Sequence, residues 1–336
     1  MAEKILVVGG AGYIGSHACK ALAAAGYTPV VFDNLCLGHR DFVRWGPLVE
    51  GDIRDAAAVE AAIRDHDCQA VMHFAAFAYV GESVTDPAKY YANNVTGTLG
   101  LLEGMRNANC DKLVFSSTCA VYGEPTRLPI TEDTATSPVN AYGRSKLMCE
   151  TILTDYSTAY DLNFTALRYF NASGDDADSE IGELRDLETH LIPRALMALQ
   201  GYIEDFQIFG SDFPTPDGTA IRDYIHVSDL ADAHVAALQR LLNGATGGSI
   251  FNLGVGHGYS VGEVLAMITA VTGQSLPAPK GDRRPGDPAQ LVADAAKARD
   301  ELGFAPRHSD LRNIIETAWR WHQRAHPKRN DANLPA

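Results

Sequence analysis

The sequence is poor in positive charge and lacks long hydrophobic runs. Lysine and arginine together number 28 against 42 aspartates and glutamates, which gives a formal charge of -14. Nucleic acids and anionic membrane surfaces are bound by concentrated positive charge, so both are disfavoured as partners. No apolar stretch approaches the roughly 20 residues that a membrane-spanning helix requires. We therefore expect a protein without a membrane or nucleic-acid partner.

Cysteine is sparse and is not arranged in pairs. The six cysteines are scattered without a C-x-x-C motif, which fits neither a zinc ribbon nor a disulfide framework. Unpaired cysteines are typical of a reducing compartment. Acidic Glu3 and the glycine-rich loop after it also argue against a cleavable signal peptide. These features predict a cytoplasmic protein with no bound metal.

Short β-branched runs alternate with helical patterns along the first half of the chain. Strands are predicted at 4–8, 27–32, 70–75, 112–117 and 163–170, and helices at 13–26, 54–65, 89–109 and 142–160. This alternation implies right-handed crossovers, so the predicted fold is α/β, a Rossmann-type doubly wound parallel sheet.

The second half of the chain has a different character. An acidic, glycine-containing segment at 173–186 predicts a mobile connection or a substrate loop, and 249–254 predicts one further strand. Ser228 and Ser260 are predicted helix N-caps. We predict a dinucleotide-binding domain over 1–172 with a returning segment at about 222–255, a smaller C-terminal substrate-binding α/β region over 173–221 and 256–327, and a flexible tail over 328–336.

A glycine loop follows the first strand. The sequence VVGGAGYIGSH places glycines at 9, 10, 12 and 15 between that strand and the first helix, and Asp33 ends the second strand 18 residues after Gly15. In this arrangement the helix N-terminus holds a pyrophosphate and the acidic residue accepts hydrogen bonds from the adenosine ribose. A carboxylate at Asp33 repels the extra phosphate of NADP, so the predicted cofactor is NAD, although Arg40 lies close in sequence. Asp52 and the segment 73–83 follow later strands and are further candidates to contact the cofactor.

Tyr142 and Lys146 form the candidate catalytic pair. They lie four residues apart in a predicted helix, so their side chains share one face. A phenol is a poor base at neutral pH unless a nearby cation favours the phenolate. A common alternative for such a pattern is a core tyrosine beside a surface lysine. With a nicotinamide bound nearby, however, Tyr142 could take a hydroxyl proton while the cofactor accepts a hydride, and Thr118 could bridge Tyr142 and the substrate.

These motifs occur together in one order over about 4–325. GGAGYIGSH, DNL, EGDIRD, VGES, NNVTGTL, FSSTCAVYG, YGRSK, RYFNASG, IRDYIHVSDLA and RRPGD resemble the extended short-chain dehydrogenase/reductase family, and within it the UDP-sugar 4-epimerases. The resemblance implies the catalytic residues Thr118, Tyr142 and Lys146. It implies that NAD is held by Gly9, Gly12, Tyr13, Ile14, Gly15, Asp33, Asn34, Asp52, Ile53, Phe74, Ala75, Ala76, Asn93, Ser116, Tyr142, Lys146 and Tyr169.

The resemblance also implies a substrate. The UDP-sugar would be oxidised at C4, turned as a 4-keto intermediate and reduced on the opposite face, with UDP-glucose and UDP-galactose favoured. Its contacts would come from Thr118, Asn171, His190, Leu191, Arg222, Arg284 and Asp287. Two helices of each subunit, at about 88–109 and 142–160, would form a homodimer.

Three departures from the family pattern bear on these expectations. Ala78 stands where many relatives carry a lysine near the cofactor, so one contact must come from elsewhere or be lost. His190 stands where an asparagine is common, and serves either the substrate or only the start of its helix. Leu291 stands where some relatives have a bulkier side chain beside the sugar, which favours a broader range of sugars.

Other functions stay open at this stage. The segments PITED and WRWH also resemble UDP-xylose/UDP-arabinose 4-epimerases. Dehydration of a nucleotide sugar is disfavoured, because Cys119 and Ala120 stand where that reaction uses an acidic pair. The alternative of a different class is a non-catalytic NAD-binding regulatory protein, which would be expected to lose Tyr142 or Lys146.

Overall fold

A computed structural model describes residues 2–284 and 287–326. The predicted tail over 328–336 lies outside these residues. In chain order, the strands are β1 Lys4–Val8, β2 Thr28–Asp33, β3 Leu48–Glu50, β4 Cys68–His73, β5 Lys112–Ser116, β6 Asn163–Tyr169, β7 Asn171–Ser173, β8 Ile208–Phe209, β9 Ile221–Arg222, β10 Tyr224–His226, β11 Gly248–Leu253, β12 Tyr259–Ser260, β13 Lys280–Gly281 and β14 Gln290–Leu291. The helices are α1 Tyr13–Ala24, α2 Ala56–His66, α3 Val80–Thr85, α4 Pro87–Tyr90, α5 Thr96–Asn107, α6 Ala141–Tyr160, α7 Leu191–Leu199, α8 Val227–Leu242, α9 Val261–Thr272, α10 Ala296–Leu302 and α11 Leu311–Ala325.

Seven parallel strands form the central sheet in the order β11-β6-β5-β4-β1-β2-β3. Their apolar runs are buried because helices cover both faces. One face packs on α1 and α8, and the other on α2 and α5. The strand order reverses between β1 and β4, and ligands of such sheets bind at this switch point. The predicted doubly wound parallel sheet is confirmed.

The last strand of the sheet comes from the second half of the chain. β11 pairs with β6, with Phe251 opposite Leu167. A separate apolar cluster joins α7, α9 and α11 in the C-terminal region, around Leu196, Val264 and Ile314. This arrangement is consistent with a returning segment, while the division into two domains stays a prediction.

Two predictions about helices differ from the structure. The helix at 89–109 is interrupted by a π-helical turn, Tyr91–Val95. Ser260 does cap α9, but the prediction for Ser228 was wrong, because His226 is the N-cap of α8 and its ring accepts a hydrogen bond from the Ser228 amide at 3.0 Å.

The acidic segment at 173–186 is packed rather than a mobile connection. Ile181 is buried against Phe42 and Trp321. The Lys20 ammonium lies among carboxylates of the segment and donates to Asp176 Oδ1 at 2.7 Å. The burial of Ile181 against Phe42 and Trp321 and the ion pair with Lys20 of α1 hold the segment in place. None of the described helices is long and apolar enough to span a membrane.

Candidate active site

A cavity of about 390 Å³ opens at the carboxyl ends of the parallel strands. It is lined by the glycine loop after β1, by Asp33 at the end of β2, by Phe74 after β4 and by Tyr169 at the end of β6. Crossovers in a parallel sheet bring these loops to one edge. The cavity therefore lies at the position where a doubly wound sheet binds its ligand.

The glycine loop has no room for side chains at two of its positions. Gly9 has φ +80°, and a Cβ there would lie 2.5 Å from the amide nitrogen of Ala75. A Cβ on Gly15 would lie 2.2 Å from the carbonyl oxygen of Gly9. Gly12 is the N-cap of α1 and has no side chain to satisfy the first amides of the helix. The loop thus leaves a helix N-terminus free to receive an anion.

Asp33 is buried and already oriented. Its two carboxylate oxygens accept hydrogen bonds from the amides of Ala11 at 3.0 Å and Leu35 at 2.8 Å. Burial raises the pKa of Asp33, and these two hydrogen bonds oppose the shift. Arg40 does not compensate its charge, because the guanidinium pairs with Glu50. Each Asp33 oxygen keeps acceptor capacity for a ribose hydroxyl, so the residues present fit NAD.

Tyr142 and Lys146 lie on one face of α6, and both line the cavity. Asn140 caps the helix by accepting a hydrogen bond from the Gly143 amide at 2.8 Å. Burial raises the pKa of the Tyr142 phenol, and a hydrogen bond with the Thr118 hydroxyl opposes the shift. Burial lowers the pKa of Lys146 to about 8. A positive charge close to Tyr142 is therefore needed for the phenol to lose its proton near neutral pH.

A buried ion pair lies behind the catalytic helix. Glu150, one turn after Lys146, accepts hydrogen bonds from Arg168 Nη2 at 2.6 Å and Nε at 3.0 Å. It also accepts one from the Ser117 hydroxyl, and Arg168 Nη1 donates to the Tyr122 hydroxyl at 2.9 Å. The pair connects α6 with β6 and with the segment that carries Thr118.

A second cluster of polar residues, formed by Arg222, Arg284 and Asp287, lies outside this cavity. Arg222 and Arg284 both pair with Asp287, Arg284 at 3.2 Å. Leu291 is in register with Arg222 and packs with Cys119. Burial raises the pKa of Cys119 to about 12, and the charge of Arg222 opposes this shift, so the arginine lies near the segment of Thr118. The structure thus brings these three predicted substrate residues together beside the catalytic segment.

The remaining predicted substrate residues lie at the start of β7 and at the start of α7. Asn171 begins β7 and donates its amide to the carbonyl of Asp223 at 2.9 Å. His190 is the N-cap of α7, and its Nδ1 lies 2.7 Å from Glu183 Oε1. Leu191 is the first residue of α7 and is partly buried. His190 therefore has a partner within the protein, Glu183. This contact fits a structural role at the start of α7, one of the two roles predicted for His190.

Similarity to known proteins identifies the family. The model of the NAD dependent epimerase/dehydratase family matches residues 5–254. The chain belongs to this family. The UDP-glucose 4-epimerase of Rhizobium leguminosarum bv. trifolii is 51% identical over 323 residues, covering 96% of this chain and 98% of that protein. The UDP-glucose 4-epimerase of Rhizobium meliloti (strain 1021) is 51% identical over 322 residues, 96% of this chain and 98% of that protein.

Solved structures of the family share the fold. The UDP-glucose 4-epimerase of Brucella ovis in complex with NAD has a TM-score of 0.93 and 54% identity, covering 95% of this chain and 98% of that one. A UDP-glucose-4-epimerase of Stenotrophomonas maltophila with bound NAD and formylated UDP-arabinopyranose has a TM-score of 0.92 and 40% identity, covering 97% and 98%.

Most of the predicted cofactor residues meet around the cavity of this family member. All of them line it except Asp52 and Ser116. Asp52 accepts a hydrogen bond from Asn34, which does line the cavity, at 3.3 Å. Ser116 lies behind Tyr169 and shares a hydrogen bond with its hydroxyl at 2.9 Å. The contacts of these residues with NAD stay predictions.

Sequence reasoning included Phe77 and Tyr79 only as part of the segment 73–83 and did not assign Arg185 or Glu150 to the site. Phe77, Tyr79 and Arg185 line the cavity, and Glu150 supports it from behind. Tyr79 lies inside the predicted cofactor segment, and Glu150 continues the spacing of four from Tyr142 and Lys146. Arg185 is the one basic residue of the acidic segment at 173–186, which was a usable signal.

Proposed function

We propose that the protein is an NAD-dependent epimerase that inverts C4 of a UDP-sugar, with UDP-glucose and UDP-galactose as the favoured pair. The observation that carries the proposal is the placement of Tyr142 and Lys146 on the wall of the cavity that the glycine loop and Asp33 also line. The similarity to UDP-glucose 4-epimerases over nearly the whole chain supports it.

The glycine loop and Asp33 would hold the cofactor, and Tyr169 and Phe74 would flank it. NAD, when bound, supplies a reversible hydride acceptor for C4 of the sugar, so that the reaction has no net redox change. Tyr142 would take the proton of the 4-hydroxyl and return it after the 4-keto sugar has turned. Lys146 would favour the phenolate and orient the ribose, and its Nζ is held by the Ser116 carbonyl at 2.9 Å.

The cluster of Arg222, Arg284 and Asp287 would bind the diphosphate of the UDP-sugar. Arginine forks match phosphate oxygens, and the shared aspartate holds both guanidiniums in place until the ligand arrives. Thr118 would then contact the sugar hydroxyl, because its own hydroxyl acts on the Tyr142 phenol and lowers the pKa of that group against the effect of burial.

A UDP-pentose is the second candidate substrate. The sequence segments that resemble UDP-xylose/UDP-arabinose 4-epimerases support it, as does the similarity to a structure with bound formylated UDP-arabinopyranose. Dehydration stays disfavoured, because the thiol of Cys119 and the methyl of Ala120 provide neither the acid nor the base. A regulatory NAD-binding protein without turnover is the alternative of another class.

Incubation of the purified protein with UDP-glucose, UDP-xylose or UDP-N-acetylglucosamine, with no added cofactor, tests the proposal by NMR detection of the 4-epimer. Turnover is expected, and the fastest sugar names the substrate class. Tyr142→Phe should reduce turnover to background with NAD still bound, while Tyr160→Phe, at the exposed end of the same helix, should not. No epimer from any sugar, even with added NAD, would favour the regulatory alternative.

Two further expectations complete the proposal. We propose a homodimer through the helices α5 and α6, which expose Leu99 and Met148 to solvent in the single chain. We also propose a cytoplasmic location, since the cysteines are free thiols, five of them buried and only Cys36 exposed.

A further inference from the structure

Arg185 is a cation on the wall of the cavity with no role in the proposed reaction. Among the described residues that line this cavity, Lys146 and Arg185 are the lysine and arginine side chains. Lys146 is already engaged with Ser116 beside the catalytic tyrosine. A second positive charge in a largely buried position needs an anionic partner, because removing a guanidinium from water is costly.

The backbone around Arg185 is held in place from two sides. Trp321 Nε1 donates a hydrogen bond to the carbonyl oxygen of Glu183 at 2.9 Å. The next carbonyl oxygen, that of Leu184, lies 2.9 Å from Nε2 of His39. Arg185 therefore follows a fixed stretch of chain, and its place on the cavity wall is built into the fold.

Within the part of the chain that the structure describes, Arg185 pairs with a carboxylate that it shares with His190. Arg185 Nε donates to Glu183 Oε1 at 2.8 Å, and His190 Nδ1 lies 2.7 Å from the same oxygen. Burial and the charge of Glu183 raise the pKa of the neighbouring Glu188. The other side of the guanidinium packs over the Tyr79 ring at 5.2 Å. Arg185 and His190 therefore share one carboxylate oxygen of Glu183.

Arg185 shares the wall of the cavity with the glycine loop and the catalytic tyrosine. Its charge acts on the phenols of Tyr13, the first residue of α1, and of Tyr142 and Tyr169, where it opposes the larger effect of burial on each pKa. A dinucleotide with its adenosine ribose at Asp33 and its nicotinamide at Tyr142 must carry its pyrophosphate past the N-terminus of α1. Arg185 is the arginine on the wall along this path.

We propose that Arg185 binds the diphosphate of the dinucleotide cofactor, opposite the amides of the glycine loop. The proposal rests on the proposed function, because it assumes a bound dinucleotide. A diphosphate could also come from the UDP-sugar. The cofactor is favoured because Arg185 shares its cavity with Gly9, Gly12 and Tyr13, whereas Arg222 and Arg284 lie outside that cavity.

Equilibrium dialysis of the NAD-free full chain against labelled NAD, ADP-ribose, adenosine or UDP tests the assignment. A charged hydrogen-bonded contact corresponds to a loss of about 10- to 100-fold in affinity when it is removed. Arg185→Met should bind NAD and ADP-ribose weaker by this factor and should bind adenosine and UDP as the parent does. Arg185→Lys, which keeps the charge, should lose less. Arg194→Met is the matched control, because Arg194 is similarly covered but pairs with Asp205 away from the cavity.

The outcomes separate this proposal from the proposed function. A parent protein that binds no NAD would overturn both. A parent that binds NAD, with Arg185→Met binding it equally well, would overturn only the role of Arg185, as would an equal loss for adenosine. A loss confined to UDP would assign Arg185 to the sugar nucleotide instead. If the single variant unfolds, Glu183→Gln/Arg185→Met removes both charges, and the same loss is expected.

Discussion

Lys146 donates a hydrogen bond from Nζ to the carbonyl oxygen of Ser116 at 2.9 Å. This contact joins the catalytic helix α6 to the end of β5, two residues before Thr118. The ammonium also lies 4.9 Å from the centre of the Phe115 ring, so it is held by a carbonyl and an aromatic face rather than by a carboxylate. Lys146 and Tyr142, whose proton the proposed reaction moves, line the same cavity.

Replacement of Lys146 by methionine should change how stability depends on pH. Burial lowers the pKa of Lys146 from 10.5 to about 8, so between these values the folded protein binds fewer protons than the unfolded chain. The contribution of Lys146 to the free energy of unfolding should therefore increase as the pH rises through that window. The increase should be on the order of 3 kcal/mol. Urea unfolding of NAD-free parent and Lys146→Met protein at pH 7 and pH 10 measures the difference. A constant difference between the two proteins would contradict the lowered pKa.

Two glycines of the loop should respond differently to alanine. A Cβ on Gly12 meets only the Gly9 carbonyl at 3.4 Å, and its φ of -86° suits alanine, so Gly12→Ala should fold normally. It should still weaken NAD binding by about 10-fold or more, because the backbone must approach the pyrophosphate closely. Gly15→Ala places its methyl 2.2 Å from the Gly9 oxygen and should cost about 1–3 kcal/mol of stability. Thermal unfolding and NAD titration of both variants distinguish the two effects; equal stability losses would refute the distinction.

Removal of one partner of the buried ion pair between Glu150 and Arg168 should destabilise the protein more than removal of both charges. Arg168→Met leaves a buried carboxylate without its cation and should cost about 3–5 kcal/mol, while Glu150→Gln/Arg168→Met should cost less. Turnover should fall in both, because Ser117 and Tyr122 lose their partners beside Thr118. Urea unfolding and the 4-epimer assay measure these effects.

Arg106→Met is the control for this pair. Arg106 forms an exposed ion pair with Glu103 at 2.6 Å, and such solvent-screened pairs contribute little to stability, so this variant should unfold as the parent does. A double variant less stable than Arg168→Met would show that the cost lies in packing rather than in the unpaired charge.

The homodimer proposal predicts that charge on α5 and α6 prevents association. Leu99 and Met148 are 38% and 46% exposed in the single chain, so each offers apolar surface that a partner subunit would bury. Leu99→Glu/Met148→Glu should sediment as a monomer at micromolar concentration, where we expect the parent to be a dimer. Leu187→Glu, which is 60% exposed elsewhere, should remain dimeric. A parent that sediments as a monomer would refute the proposal.

Much of the fold and of the site follows from local sequence. The β-branched runs gave six of the seven strands of the central sheet, because strands buried on both faces must be continuously apolar. The glycines of the loop and Asp33 could be assigned because backbone clearance and a carboxylate after a strand are local requirements. The spacing of Tyr142 and Lys146 likewise placed them on one helical face before any tertiary contact was known.

Local sequence was misleading where long-range contacts decide. The acidic composition of 173–186 suggested mobility, but Trp321 and Lys20, both distant in sequence, pack and neutralise this segment. His226 displaced Ser228 as a cap because its ring nitrogen is held at the end of β10.

The sequence by itself determined the order of strands and helices, the nucleotide loop and the tyrosine–lysine pair, because each depends on residues only a few positions apart. The tertiary structure alone decided which distant side chains share the cavity. Arg185 reaches the wall that Tyr142 lines, and Arg168 reaches Glu150 behind it, because the chain returns to the same edge of the sheet. Such contacts depend on packing across the whole fold, and no local pattern encodes them.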